Sequence, residues 1–128
     1  MKKLLFISLY AFTLTSCSDN DPTDPPIIGK WVLNRYEAGQ NNIPPSQCDY
    51  SVIHHIQNTG QIAYLNTSNN CGTVGINLVG TWVLRNDSLI CTAANGALLE
   101  PSGKIITLTT SELTTSRFES KYFYKKQN

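Results

Sequence analysis

The sequence predicts an all-β domain: an eight-stranded antiparallel barrel or half-barrel that follows a cleaved N-terminal leader. Three observations predict it. The body from Gly29 onward is rich in Thr, Asn, Ser, Val, Ile and Tyr, residues that favour strands and turns. Short runs bounded by Gly, Asn or Pro recur about every ten residues, and nowhere do apolar residues keep helical spacing over three turns. Finally, Ile28-Gly29-Lys30-Trp31-Val32-Leu33 returns as Val79-Gly80-Thr81-Trp82-Val83-Leu84, an internal echo of aliphatic-Gly-x-Trp-Val-Leu.

The leader comes first. Lys2 and Lys3 precede an apolar stretch from Leu4 to Leu14, well short of the ~20 residues that span a bilayer, so residues 1–16 read as a signal peptide. Leu14-Thr15-Ser16-Cys17 resembles the bacterial lipobox, which implies cleavage before Cys17 and its acylation. Ordinary secretory cleavage at a small-residue site is the competing reading.

Residues 17–28 read as the acylated cysteine and a flexible tether. Ser18 through Pro26 is acidic, proline-rich and without a bulky apolar side chain, so it stays solvated and extended. It resembles the Ser-Asp-rich segment behind the acylated cysteine of surface-exposed Bacteroidetes lipoproteins. That likeness implies anchoring to the outer membrane with the domain at the cell surface; a plain spacer with periplasmic retention is the other reading. Without residues 1–16 the chain has eight Lys and Arg against nine Asp and Glu, a net charge of −1. Membrane attachment is therefore expected from acyl chains on Cys17 rather than from a basic surface. The same balance argues against nucleic acid as a partner.

Residues 29–128 form one domain, too short for a Rossmann half plus a substrate domain. Eight strands are predicted within it. They run approximately over Lys30 to Glu37, Tyr50 to Gln57, Gln61 to Thr67, Gly80 to Arg85, Ser88 to Thr92, Lys104 to Thr109, Glu112 to Phe118, and Lys121 to Lys126. Turn residues separate them, among them Asn58-Thr59-Gly60, Asn86-Asp87 and Pro101-Ser102-Gly103. In the echoed segments, Gly29 and Gly80 permit a tight bend and close backbone approach. Trp31 and Trp82 are then placed to plug one end of the barrel.

Gly29-x-Trp31 matches the Gly-x-Trp motif of lipocalins, and the order of later features resembles the lipocalin-like domain of Bacteroidetes lipoproteins. Those features are Cys48, Asn58-Thr59-Gly60, Cys71, Gly80-Thr81-Trp82, Asn86-Asp87 and Tyr122-Phe123-Tyr124-Lys125-Lys126. The resemblance runs from Ile28 to the C-terminus and rests on their order. It implies a barrel with a lined interior, and an arginine from a late strand against the first Trp, for which Arg117 is the nearest candidate.

With Cys17 acylated, Cys48, Cys71 and Cys91 are left in a compartment where disulfides persist. If Thr59-Gly60 is a two-residue hairpin turn, Asn58 lies opposite Gln61 and the same register carries Cys48 opposite Cys71. This predicts a Cys48–Cys71 disulfide, leaves Cys91 as an inert buried thiol, and turns Tyr64 outward.

No catalytic, metal-binding or cofactor motif is present. His54 and His55 are adjacent on a strand and point to opposite faces, so they cannot share a metal ion without a bulge; His54 is expected inside with Val52 and Ile56. Asp87-Ser88-Leu89 resembles an O-glycosylation acceptor, although a hairpin turn explains the same residues. The aromatic and basic ending at Lys121 to Lys126 reads as a closing strand with solvated lysines.

The functional expectation is a monomeric, noncatalytic binder of a small apolar or amphipathic molecule, without cofactor or metal. Its cavity would be lined by Leu33, Val52, His54, Ile56, Leu84 and Ile105. The alternative is an accessory lipoprotein with a filled barrel that contacts an envelope protein or glycan.

Overall fold

The computed structural model describes residues 24–128, so the signal peptide, Cys17 and most of the tether lie outside the described residues. The body is a closed antiparallel barrel. Its wall consists of β1 (Gly29–Ala38), β3 (Val52–Ile56), β4 (Gln61–Asn66), β5 (Gly75–Arg85), β6 (Ser88–Ala93), β7 (Gly103–Leu108), β8 (Glu112–Arg117) and β9 (Ser120–Gln127). These pair in that order, and β1 pairs with β9 to close the ring. No helix among the described residues is long and apolar enough to cross a membrane.

Three short elements are absent from the predicted pattern. β2 (Asn41–Ile43) folds back on the end of β1 as a spur. Helix α1 (Gln47–Tyr50) follows Pro44 and Pro45 and is opened by a capping box, in which Ser46 and Asp49 bond reciprocally. A single 3₁₀ turn spans Asn69–Cys71. The Cys48–Cys71 disulfide joins α1 to this turn.

The register of the β3–β4 hairpin differs by one residue from the predicted one. Its turn has three residues, Asn58 to Gly60, with Gly60 at φ +80° and Gln57 N–H bonded to the Gln61 carbonyl. His54 therefore lies opposite Tyr64, and Val52 opposite Asn66. Because side chains alternate faces, the one-residue shift turns Tyr64 inward, against the expectation that it faces solvent. The cysteines still meet because both stand outside the ladder, in α1 and the 3₁₀ turn, where strand register does not apply.

The core is formed by Ile27, Trp31, Leu33, Ile56, Ile62, Leu89, Cys91, Leu113 and Tyr124. Ile27, assigned to the tether on composition, is fully buried and accepts a hydrogen bond from the Trp31 indole. A branched apolar side chain beside a tryptophan gains more from burial than from solvation, so the folded body begins there and not at Gly29.

The seam between β6 and β7 is narrow, with pairs only at Ser88–Lys104 and Leu89–Gly103. The connecting segment fills the gap. Leu99 N–H bonds to the Cys91 carbonyl, and the Ser102 hydroxyl both accepts from Cys91 N–H and donates to its carbonyl. A Cβ at Gly80 would collide with the Thr92 carbonyl and press on Leu99, so the glycine leaves the space into which this segment packs.

Candidate functional site

The segment that fills the β6–β7 seam also forms one wall of an open cleft of about 390 Å³. Val52 and His54 on β3, Tyr64 and Asn66 on β4, and Asn77 and Leu78 on β5 form the facing wall, while Leu98, Leu99 and Glu100 come from the loop. Asn77 is a bulge residue: Tyr64 pairs with Leu78 and Leu65 with Ile76, leaving it without a cross-strand partner. A smaller recess of about 80 Å³ adjoins, bounded by Leu33, Asp49, Val52, His54 and Glu100.

His54 forms a wall of both hollows. Its ring stands edge-on to Tyr64 and to Tyr124, with centroids 4.8 and 5.5 Å away. The Tyr64 hydroxyl donates to the Glu100 carbonyl, tying the loop across the barrel mouth to β4. Burial lowers the His54 pKa to about 4, while a hydrogen bond to the Glu100 backbone and the Asp49 carboxylate oppose the shift. The imidazole is therefore neutral near pH 7. Burial also raises the Glu100 carboxyl, with Arg117 opposing. Among the described residues, three buried side-chain polar atoms have no hydrogen-bond partner: His54 Nδ1, Thr115 Oγ1 and Tyr124 Oη.

Of the six residues expected to line a cavity, Val52 and His54 line the cleft and Leu33 lines the recess. Ile56 is sealed in the core and Ile105 packs against it. Leu84 is a correction, because its side chain is 43% exposed. It lies opposite Leu89, one pair from the Asn86-Asp87 turn, where the wall ends and no further strand covers it. Sequence reasoning missed Tyr64 through the shifted register. It missed Leu98, Leu99 and Glu100 because they belong to a loop, although two consecutive leucines ahead of Pro101 are a signal for an inward-packing connection. Asp49 was legible through the Ser46-x-x-Asp49 capping box.

Gly29 lies opposite Ile56, and Gly80 opposite Ile62. The Trp31 indole donates to Ile27 and the Trp82 indole to Gln57, so both bond to backbone at the barrel end where the chain enters and the β3–β4 hairpin turns. The cation over Trp31 is Lys126, whose Nζ is 5.0 Å from the ring centroid and which also donates to the Pro26 carbonyl. Arg117 instead lies over Phe118. The expectation for Arg117 is thus corrected: β9 pairs with β1 and brings Lys126 opposite Trp31, whereas β8 does not pair with β1.

Cys91 is fully buried, and burial raises its thiol pKa to about 12. Another hollow, of about 430 Å³, lies on the outer wall among Arg35, Thr107, Glu112, Phe123 and Lys125. It is polar, and Arg35 already stacks on Phe123 at 3.9 Å. Among the described residues no group of three or more His, Cys, Asp or Glu side chains could hold a metal ion.

A family model described as a lipocalin-like domain matches residues 27–115. A lipocalin-like protein from Bacteroides uniformis ATCC 8492 is similar in structure, with a TM-score of 0.61 and 16% identity, covering 80% of this chain and 100% of that one. An uncharacterized protein from Bacteroides eggerthii DSM 20697 is also similar, with a TM-score of 0.62 and 17% identity over 78% of this chain and 98% of that one. No curated protein matches the sequence. At these identities the two structures speak to the fold, and the matched span carries the assignment: the chain belongs to the lipocalin-like domain family.

Proposed function

We propose that this chain is a noncatalytic binding protein, tethered to the outer membrane through acyl chains on Cys17, that takes a small apolar or amphipathic molecule into the cleft at its barrel mouth. The observation that carries this reading is the cleft itself. Its volume of about 390 Å³ falls within the range of roughly 300 to 1,000 Å³ typical of small-molecule sites. Aliphatic side chains from two strands and a loop meet there around a small polar group, the composition such sites share.

The test is native mass spectrometry of protein released from its own cell envelope. A copurifying small molecule lost on Leu78→Trp substitution, which fills the cleft, is the expected result. Protein that carries no molecule and binds no apolar fluorophore would overturn the reading. For the anchor, Cys17→Ser is expected to release the protein from the membrane fraction, and unchanged retention would count against acylation.

A second reading draws on the outer wall. Ile76, Val79 and Val83 of β5 are each about half exposed or more, and exposed apolar side chains in proximity suit a protein partner. A stoichiometric protein in the same mass spectrum, without a small molecule, would favour it.

A further inference from the structure

We propose that the barrel rests its open end on the lipid surface to which it is anchored, with Phe118 and Leu98 buried in the bilayer interface and the cleft opening onto the lipid. This rests on the proposed acylation of Cys17 and adds the face of the barrel that the membrane meets.

The first observation is Phe118 itself. It stands in the two-residue turn between β8 and β9, is 93% exposed, and holds φ at +55°. Left-handed backbone is unfavourable for a bulky residue; in the β5–β6 turn the same conformation falls to Asn86, whose side chain tolerates it. A ring so exposed gains almost nothing from packing within the chain. Burial outside the chain offsets both the strain and the exposure.

The second observation is where the ring stands. Ala38 pairs with Ser120, and Gly39 N–H donates to the Glu119 carbonyl, so the turn lies at the end of β1 remote from Gly29 and the entering chain. The cleft is at that end too, since β3 meets β1 from Ile56 at Gly29 to Ile53 at Val32 and Val52 lies beyond. Phe118 and Leu98 border one hollow of about 370 Å³ beside the β6–β7 seam. Leu98, 56% exposed, also walls the cleft. The two apolar side chains therefore form one edge of the mouth.

Charge and reach identify the occupant. Arg35, Arg117 and Lys121 stand with two acids, Glu37 and Glu119, which leaves one excess positive charge at this edge. Attraction must then come from apolar contact. Two side chains on a turn and a loop fall well short of the roughly 800 Å² per partner of a standard protein interface. A bilayer accepts them singly, each gaining about ten- to a hundredfold in partition on burial. The anchor makes so small a gain sufficient. Cys17 stands eight residues before Pro25, a reach of up to about 28 Å, and β9, which spans the wall, is eight residues long. A tether of that reach holds the mouth at an effective concentration on the order of millimolar against the anchoring membrane.

The experiment reconstitutes the acylated full chain into phosphatidylcholine vesicles that carry a nitroxide-labelled lipid. A thiol-reactive fluorophore is attached at Phe118→Cys, or at Thr59→Cys in the β3–β4 turn at the opposite end. Cys17 carries the lipid, Cys48 and Cys71 are bridged and Cys91 is buried, so the introduced thiol alone reacts. Fluorescence at position 118 should be lost to quenching, at low and high salt alike, while that at position 59 persists. In Phe118→Asn, a probe at Leu98→Cys should lose most of its quenching, as partition to the interface falls about tenfold. The urea midpoint of Phe118→Asn should equal or exceed that of the unaltered chain, because Asn accepts the left-handed backbone and no packing is lost. A probe at 118 quenched no more than the one at 59, or a lower midpoint in Phe118→Asn, would overturn the docking and leave the anchor and the cleft standing. Photo-crosslinking from position 118 to an envelope protein, without quenching in vesicles, would overturn it in favour of a protein partner. A mature protein whose intact mass shows no acyl chain would overturn anchor and docking together.

Discussion

His54 and Tyr64 are directly opposite each other in the β3–β4 ladder, rings edge to face with centroids 4.8 Å apart, and the Tyr64 hydroxyl donates to the Glu100 carbonyl of the β6–β7 loop. The loop that walls the cleft is thus held by a side chain that lines it. Removing the Tyr64 hydroxyl leaves the Glu100 carbonyl short of a donor, which costs about 1 to 3 kcal/mol for a buried acceptor. Tyr64→Phe is therefore expected to destabilise the fold by that order in urea unfolding, and to speed hydrogen exchange at Leu98 to Ser102 more than elsewhere. Uniform loss of protection would show that the hydroxyl does not secure the loop in particular.

The buried imidazole makes stability depend on pH. Its folded pKa of about 4 lies below the unfolded value of 6.5, so between these values the unfolded chain binds the additional proton. Stability is then fully present above pH 6.5 and falls as pH drops toward 4, by up to about 3 kcal/mol. Urea midpoints measured from pH 7.5 to pH 4 should show this slope in the unaltered protein and a shallower one in His54→Phe. Parallel curves would contradict the burial of a neutral ring.

Gly80 carries a steric prediction. A methyl group there meets the Thr92 carbonyl and the Leu99 side chain, one of them backbone that cannot rotate aside. Gly80→Ala is expected to destabilise by about 1 to 3 kcal/mol, as overpacking does. Apolar fluorophore binding should weaken with it, because Leu99 is displaced in the cleft wall. Wild-type stability in the alanine variant would refute this account of the glycine.

Cysteine chemistry separates the three cysteines of the body. Cys48 and Cys71 close a loop with a sequence separation of 23, worth about 3 kcal/mol on the chain-entropy model, so the double Cys48→Ser, Cys71→Ser variant should lose stability on that scale. Cys91, buried with its thiol pKa near 12, should resist alkylation until denaturant is added. Rapid labelling of Cys91 in the folded protein would contradict its burial.

The wall of the barrel was legible before the structure, and the contents of its mouth were not. Strand periodicity places each of the eight long strands within a few residues of its observed bounds, except β5, which begins at Gly75 rather than Gly80. Asn86-Asp87 is the turn of the β5–β6 hairpin, with Asn86 at φ +56° and Arg85 opposite Ser88. Alternation also places His54 on the inner face. It fails at Tyr64 because a three-residue turn and a two-residue turn share the same Asn-Thr-Gly letters yet differ by one step of register. It fails at Lys126 and Arg117 because the choice of cation over Trp31 depends on which late strand meets β1.

The amino-acid sequence by itself determined the eight wall strands, the turn positions and the alternation of faces within each strand, since these follow from local propensity and a period of two. The phase of β4 against β3 was left to the length of the turn. Tertiary structure decided which loop enters the barrel, which cation covers the first tryptophan, and which polar atoms are left buried without partners. Those outcomes depend on contacts between residues far apart in the chain, such as Tyr64 with Glu100 or Trp31 with Lys126, and ring closure is what brings them together.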